Sequence, residues 1–212
     1  PKDALSYEEL TNVDKYMHIK LQRFIKEIKN HYDNFDFGEV YRATNTYIAN
    51  TLSAFYLDFT KDILYIESPL SKKRLSCQTV FYEILEALLK LLSPIIPHTM
   101  SEAYDLLPYK AEEDIYLTDM PMEVEVDEQL EADFDSFMKY RDEILKALEE
   151  ARASKVIGKS FNAKLTITLD SKAKKLFTDL NSDLAQLLIV SQLELKDGDT
   201  FNVLVEKALG ET

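Results

Sequence analysis

Along residues 41–66, Tyr47, Ile48, Thr51, Leu52, Phe55 and Phe59 recur at three- and four-residue steps. That spacing places them on one face of a single long helix. Asn45, Asn50 and Ser53 sit among them, and Asp58, Lys61 and Asp62 bring charge to the end of the same helix. Earlier in the chain, Val13, Met17, Leu21, Phe24, Ile25 and Ile28 form a second stripe and predict a helix over 6–35. Ser6 and Glu9 stand at capping-box spacing at its start. Gly38, with the Asn and Asp residues before it, marks a turn. Pro69 biases Ser68 away from helix, so LYIESPLSKKRLS, from Leu64, reads as an irregular link after a helix from about Phe37 to Asp62. From Leu75 to Leu92 the chain is apolar on most of the helix circumference, the mark of a helix buried among others. Pro94 and Pro97 end it. A short helix from Thr99 to Leu107 follows, with Thr99 and Glu102 again at capping-box spacing. Residues 1–110 therefore predict a helical bundle.

The second half changes period. Phe134, Phe137, Met138, Ile144, Leu145 and Leu148 predict a helix over 128–154 that breaks at Gly158. AKLTITL alternates and is β-branched, so it reads as a strand. Residues 171–189 are helical and divided by Asn181 and Ser182. VSQLELKD and FNVLVEKAL, separated by Gly198, read as two strands joined by a turn. The fold class expected is mainly α: a bundle over 1–110, an acidic linker over 111–127, and a small α+β domain over 128–212. That domain has one long helix, a three-stranded sheet and short helices.

Charge first argues against nucleic acid, because the formal net charge is −13. Its distribution alters that. Between Ala111 and Ser136 stand eleven acids and no Lys or Arg, which leaves the rest of the chain near −2. Lys72, Lys73 and Arg74 cluster where a helix begins, a position at which the dipole favours acids. Arg141, Lys146, Arg152, Lys155 and Lys159 gather later. Cys77 is the only cysteine, so no intrachain disulfide forms and a reducing, cytoplasmic setting is expected. His18, His31 and His98 are scattered and give no zinc-ligand spacing. No apolar run is long enough to span a bilayer, so no membrane partner is expected. Four scattered glycines make no phosphate loop, and Ser53, Ser101 and Ser160 lack a nucleophile-elbow context. The residues describe a binding module without catalytic or metal-ligating chemistry. Without an initiator Met, the chain is expected to be a piece of something longer.

Two segments, NTLSAFYLDFTKDILY and RLSCQTVFYEILEALLKLLSPIIPHT, resemble the anticodon-binding region of bacterial isoleucyl-tRNA synthetases. The match runs through Leu52 to Asp58, then Lys61, Asp62, Leu64 and Tyr65, then Gln78 to Leu85 and Leu92 to Pro97. Tyr41 to Asn45 matches more loosely, as does VDKYMHIKLQRFI. The family has Asp-Arg-Trp where this chain has Asp14, Lys15 and Tyr16, and Arg-Arg where it has Arg74 and Leu75. Lys139 to Ala153 and Ile157 to Ser160 resemble a later helix and turn of the same family. Valyl enzymes carry a Trp-Tyr-Ile-Glu-type segment in place of AFYLDFT, which favours isoleucine.

The resemblance implies that this piece holds the anticodon stem and loop of an isoleucine tRNA. The parent would attach isoleucine to tRNA using ATP with Mg, while this piece, lacking His-Ile-Gly-His and Lys-Met-Ser-Lys-Ser, would be inactive alone and hold no cofactor. VEKALGE resembles the approach to a zinc module beyond Thr212. The catalytic domain of the same chain is the implied protein partner, within a monomer. Loops of RNA are read by stacking and edge bonding while cations follow the phosphates. On that basis Arg42, Asn45 and Lys61 are candidates, with Lys72, Lys73 and Arg74 for phosphates. In the second domain the candidates are Arg141, Arg152, Lys155 and Lys159. Asn50, nearer the apolar face, is expected to be a buried, hydrogen-bonded residue. The alternatives are a helical protein-interaction scaffold without RNA, a synthetase fragment adapted to another purpose, and the equivalent region of a valyl-type enzyme.

Overall fold

Helix α1 covers Asn12–Asp33 and starts later than the capping-box spacing implies. Ser6 and Glu9 do form a capping box, but it closes only a 3-10 turn, Tyr7–Glu9. The helix proper is capped by Thr11, whose side chain accepts from the Asp14 amide. The computed structural model describes residues 3–158 and 162–208, and the chain divides into two units, Pro1–Asp127 and Glu128–Thr212.

In the first unit, the chain turns at Asn34 and Phe35 and then runs helically through α2 (Phe37–Thr46), a π-helical stretch (Tyr47–Tyr56) and α3 (Leu57–Ile66). The π stretch changes which residues face inward. Val40, Thr44 and Tyr47 are buried at α-helical steps, and the next buried residue is Leu52, five on. Five residues of α-helix would turn Leu52 roughly 140° away from Tyr47. The wider i→i+5 turn brings it back to the bundle. For the same reason Ile48 and Asn50, expected on or near the apolar face, are exposed.

This long helical run lies antiparallel to α1. Phe24 stacks on Tyr47 with centroids 4.3 Å apart, and the Tyr32 and Phe37 rings meet edge-on. Helix α4, Lys72–Leu92, begins where Ser71 caps it, its side chain accepting from the Arg74 amide at 3.2 Å. It runs with α1, since Ser76 reaches Asp14 and the Leu91 carbonyl accepts from Tyr32 Oη at 2.6 Å. Helix α5, Pro97–Asp105, opens on its proline and not at Thr99. Proline suits a first turn because its missing N–H has no helical acceptor there. The acidic segment beyond it does not hang free. Ile115 is buried with Leu89, Tyr104 and Leu107. Further on, Val124 N–H donates to Gln22 Oε1 at 3.1 Å, and Lys29 pairs with Glu123 at 3.4 Å. A few apolar anchors hold this strap while its acids stay in water.

One polar group ties the bundle together. Asp14 is 2% exposed and accepts from Tyr56 Oη at 2.5 Å, Ser76 Oγ at 2.5 Å and Thr11 Oγ1 at 2.7 Å. Those donors come from the end of the π stretch, from α4 and from the α1 cap. Burial pushes the Asp14 pKa above the ordinary carboxylate value despite three hydrogen bonds that oppose the shift. Burial and the adjacent carboxylate also raise the Tyr56 pKa, so the phenol stays a donor.

The second unit contains α6 (Glu128–Ala153), β1 (Ala163–Leu169), α7 (Ser171–Asp179), α8 (Leu184–Leu188), β2 (Gln192–Asp197) and β3 (Asn202–Lys207). The three strands lie in the order β2-β1-β3, with β1 parallel to β2 and antiparallel to β3. The turn-linked pair expected from the sequence therefore does not form. β1 is buried along most of its length and takes the centre, while β2 and β3, with exposed positions along them, take the edges. The link between them rounds the end of β1, where Gly198 N–H donates to the Leu169 carbonyl at 3.0 Å. A Cβ on Gly198 would stand 2.3 Å from Thr168 Cγ2, so any larger residue at the crossing must displace the Thr168 side chain. Helix α6 buries Phe134, Phe137, Ile144 and Leu148, with Phe137 edge-on to Phe177 of α7 at 5.4 Å.

Asp14→Ala is expected to lower stability by roughly 2–4 kcal/mol, because it strands buried hydroxyl donors. Asp14→Asn should cost less, since an amide oxygen still accepts. The folded-state pKa is raised, so Asp14 contributes stability below the unfolded value, about 4, and loses it as pH climbs through the folded value. Denaturant melts of both proteins should show the wild-type advantage over Asp14→Asn shrinking as pH rises through that window. A constant difference would contradict the raised pKa.

Candidate nucleic-acid interface

Arg42 and Asn45 are exposed on α2 and Lys61 is exposed on α3. Arg42 is ion-paired with Glu39, and that hydrogen bond holds the Glu39 carboxyl below its ordinary range. Lys61 pairs with Asp58 at 2.9 Å. Both are solvent-exposed pairs three residues apart, and such pairs are held weakly in water. A phosphate can replace either carboxylate at little cost. The two cations do not belong to one site, however. Eighteen helical residues separate them, on the order of 25 Å along the axis. Arg42 lies towards the end of the bundle where Tyr32 meets Phe37, and Lys61 lies beyond Tyr56, towards the Asp14 end.

Lys72, Lys73 and Arg74 form the first turn of α4, which contains no acid. Lys72 and Lys73 are exposed, and Lys72 lies close enough to Glu9 to help lower its pKa, after the larger effect of the Ser6 hydrogen bonds. Arg74 is half-buried. Its Nη1 donates to the Glu67 carbonyl at 3.1 Å, which caps the carboxyl end of α3, and its Nε is buried without a hydrogen-bond partner. It fixes the α3–α4 corner and presents less of itself to solvent than the two lysines.

In the second unit the expected cations separate by burial. Arg141 is only 4% exposed, and its Nε donates to the Leu187 carbonyl at 3.2 Å, in the last turn of α8. It closes a helix end inside the core, where a cation suits the dipole. Its guanidinium is therefore not a surface group for RNA, contrary to expectation. Arg152 and Lys155 are exposed at the end of α6. There Val156 N–H reaches the Ala151 carbonyl and Lys155 N–H reaches that of Arg152, at 2.9 and 3.1 Å. Lys155 has φ 61°, in the left-handed position that glycine usually takes in this motif. Lys159 lies outside the described residues.

Some exposed aromatics escaped the sequence pattern. Phe35 is 80% exposed at φ 56°, with Phe37 and Tyr41 exposed nearby. Tyr65, on the last turn of α3, is 85% exposed. It stands two residues past the buried Ile63, off the apolar stripe, which was the available signal. Among the described residues, no group of three or more His, Cys, Asp or Glu is placed to hold a metal ion. Cys77 is buried, and burial pushes its thiol up to about 12, so it is not an activated nucleophile. Exposed cations and aromatics fit a surface that binds a polyanion with accessible rings.

Residues 14–167 match the family model described as the anticodon-binding domain of tRNA ligase. The chain is 45% identical to isoleucine–tRNA ligase of Lactobacillus johnsonii over 99% of its own length and 24% of that protein. It is 43% identical to the Bacillus licheniformis enzyme over 100% of its length and 24% of that protein. For the Listeria monocytogenes serotype 4b enzyme the identity is 48%, over 92% of this chain and 22% of that protein. The chain thus spans about a quarter of the length of these curated relatives.

Arg141→Ala should destabilise the protein by roughly 2–4 kcal/mol, because it removes a buried donor and uncaps α8. Arg152→Gln should leave the melting curve unchanged. Lys155→Gly should raise stability by about 1 kcal/mol by relieving the left-handed backbone. Denaturant melts decide all three. If Arg141→Ala left stability unchanged, the structural role given to this side chain would fail.

Proposed function

The chain belongs to the family of anticodon-binding domains of tRNA ligases, and from that premise we propose that it holds the anticodon stem and loop of an isoleucine tRNA. The observation that carries the proposal is the exposed set Arg42, Asn45, Lys61, Lys72 and Lys73 on the helical unit, in a chain whose net negative charge comes mostly from residues 111–136. Arg152 and Lys155 add cations from the second unit. Cations of this kind meet phosphates and set orientation, while exposed aromatic and amide side chains meet bases.

On this reading the parent protein attaches isoleucine to tRNA with ATP and magnesium, and the present chain performs neither step alone. Zinc, if used, belongs to a module carboxy-terminal to this stretch. The protein partner is the catalytic part of the same polypeptide, in a monomer working in the cytoplasm. The acidic segment, with no cation between residues 111 and 136, repels RNA and restricts it to the basic surfaces.

Fluorescence anisotropy with isoleucine tRNA and an unrelated tRNA, at several salt concentrations, tests the proposal. Affinity for isoleucine tRNA should be the higher. It should fall along a straight log–log salt line with slope of roughly −3 for four neutralised phosphates. Equal affinity for both tRNAs, or no salt dependence, would overturn anticodon binding and favour a protein-interaction scaffold.

A further inference from the structure

We propose that the α3–α4 corner is a subsite for one unpaired RNA base and its neighbouring phosphates, with Tyr65 as the stacking platform and Lys72 and Lys73 as the phosphate contacts. This rests on the RNA-binding role proposed above and deepens it by naming a place and a mode. Tyr65 presents its ring to water from the last turn of α3, and Ile66 and Leu70 beside it are each 78% exposed. Lys61 stands one turn before Tyr65 on the same face, close enough for the two groups to affect each other's charge.

The corner is built and not loose. α3 stops at Ile66, and the Glu67 N–H still reaches the Ile63 carbonyl at 3.2 Å. Ser71 N–H donates to the Ser68 carbonyl at 2.9 Å, and Arg74 returns to the Glu67 carbonyl. The start of α4 is therefore held against the end of α3. Two residues past Arg74, Ser76 is bonded to the buried Asp14, which anchors the same turn to the core.

Charge selects the occupant. A chain of net charge −13 places three successive cations, and no acid, in the first turn of a 21-residue helix. Glu9 offsets part of the charge at Lys72, and Arg74 is engaged with the Glu67 carbonyl, but the turn as a whole stays cationic at the positive end of a helix. A polyanion lowers the energy of that arrangement. Of the polyanions, RNA also brings rings that stack on an exposed tyrosine and sugar faces that cover Ile66 and Leu70. Double-stranded RNA offers no free ring, so the base is an unpaired one, from a loop.

Base stacking and phosphate contact leave different signatures, which makes the subsite testable. The anticodon stem-loop RNA of isoleucine tRNA is titrated against the chain by anisotropy over a range of salt. Tyr65→Ala should weaken binding between about 5-fold and 100-fold at every salt concentration without changing the slope, and Tyr65→Phe should restore it. Lys72→Gln with Lys73→Gln should make the slope shallower by roughly 1.4–1.8. Tyr116→Ala, an exposed aromatic in the acidic segment, should bind as wild type. The proposal is overturned if Tyr65→Ala binds as wild type with an unchanged melting curve, which would assign the corner to a protein contact. An unchanged salt slope in the double lysine variant overturns it equally. If the wild-type chain itself shows no salt-dependent binding, the RNA-binding role falls and the subsite with it.

Discussion

Asp14 accepts three hydroxyl hydrogen bonds in a site closed to water, and the positions of three helices follow from that contact. A carboxylate taken out of water is costly unless its lone pairs are satisfied. Thr11, Tyr56 and Ser76 satisfy them, and each must be held to do so. The α1 cap, the end of the π stretch and the start of α4 are thereby brought to one point. The basic first turn of α4 lies within one helical turn of Ser76, so the same contact that closes the core also positions the exposed lysines.

Between the two ends of the bundle, the π stretch reconciles a core requirement with a surface one. Tyr47 and Leu52 both face inward, although five residues separate them. The wider turn leaves Ile48, Asn50 and Ser53 outside, so the outer face is small and largely polar next to a fully packed inner one. Charge is sorted in a similar way. Seven acids between Ala111 and Asp127 ride on a strap pinned by Ile115 and Gln22, while the most exposed cations of the same unit lie on helices. A polyanion approaching this unit meets repulsion from the strap and attraction at the helical faces. Burial removes Arg141 from that set, because its guanidinium is needed to close α8.

Much of this was legible without coordinates. The strand at 163–169, the break at Asn181 and Ser182, and the apolar stripe of α1 follow from period, turn chemistry and burial preference. These act locally and leave a mark in the sequence. The cations expected on α2, α3 and α4 are exposed, apart from Arg74, which is half-buried. Helix ends were harder to read. The chain has only four glycines, and its helices turn at Phe35, Lys155 and Ile189 in left-handed backbone. A bulky residue in that conformation gives no warning, because its usual preference is for other regions. The Ser6–Glu9 pattern was real but closed a shorter element than its spacing suggested.

The sequence by itself determined the helical first half, the α+β second half, the concentration of acid in one segment and the family resemblance. Each of these depends on residue identity and short-range spacing. Tertiary structure alone decided the inward turn of Leu52, the burial of Arg141, the exposure of Asn50 and the central place of β1. Each of those depends on which distant surface is available to cover a side chain or satisfy a hydrogen bond. Arg141 and Arg152 look alike in the chain, on one helix and eleven residues apart. They differ because Arg141 stands between the buried Phe137 and Ile144, where a carbonyl from α8 offsets the cost of its burial, and Arg152 lies at the exposed end of the helix.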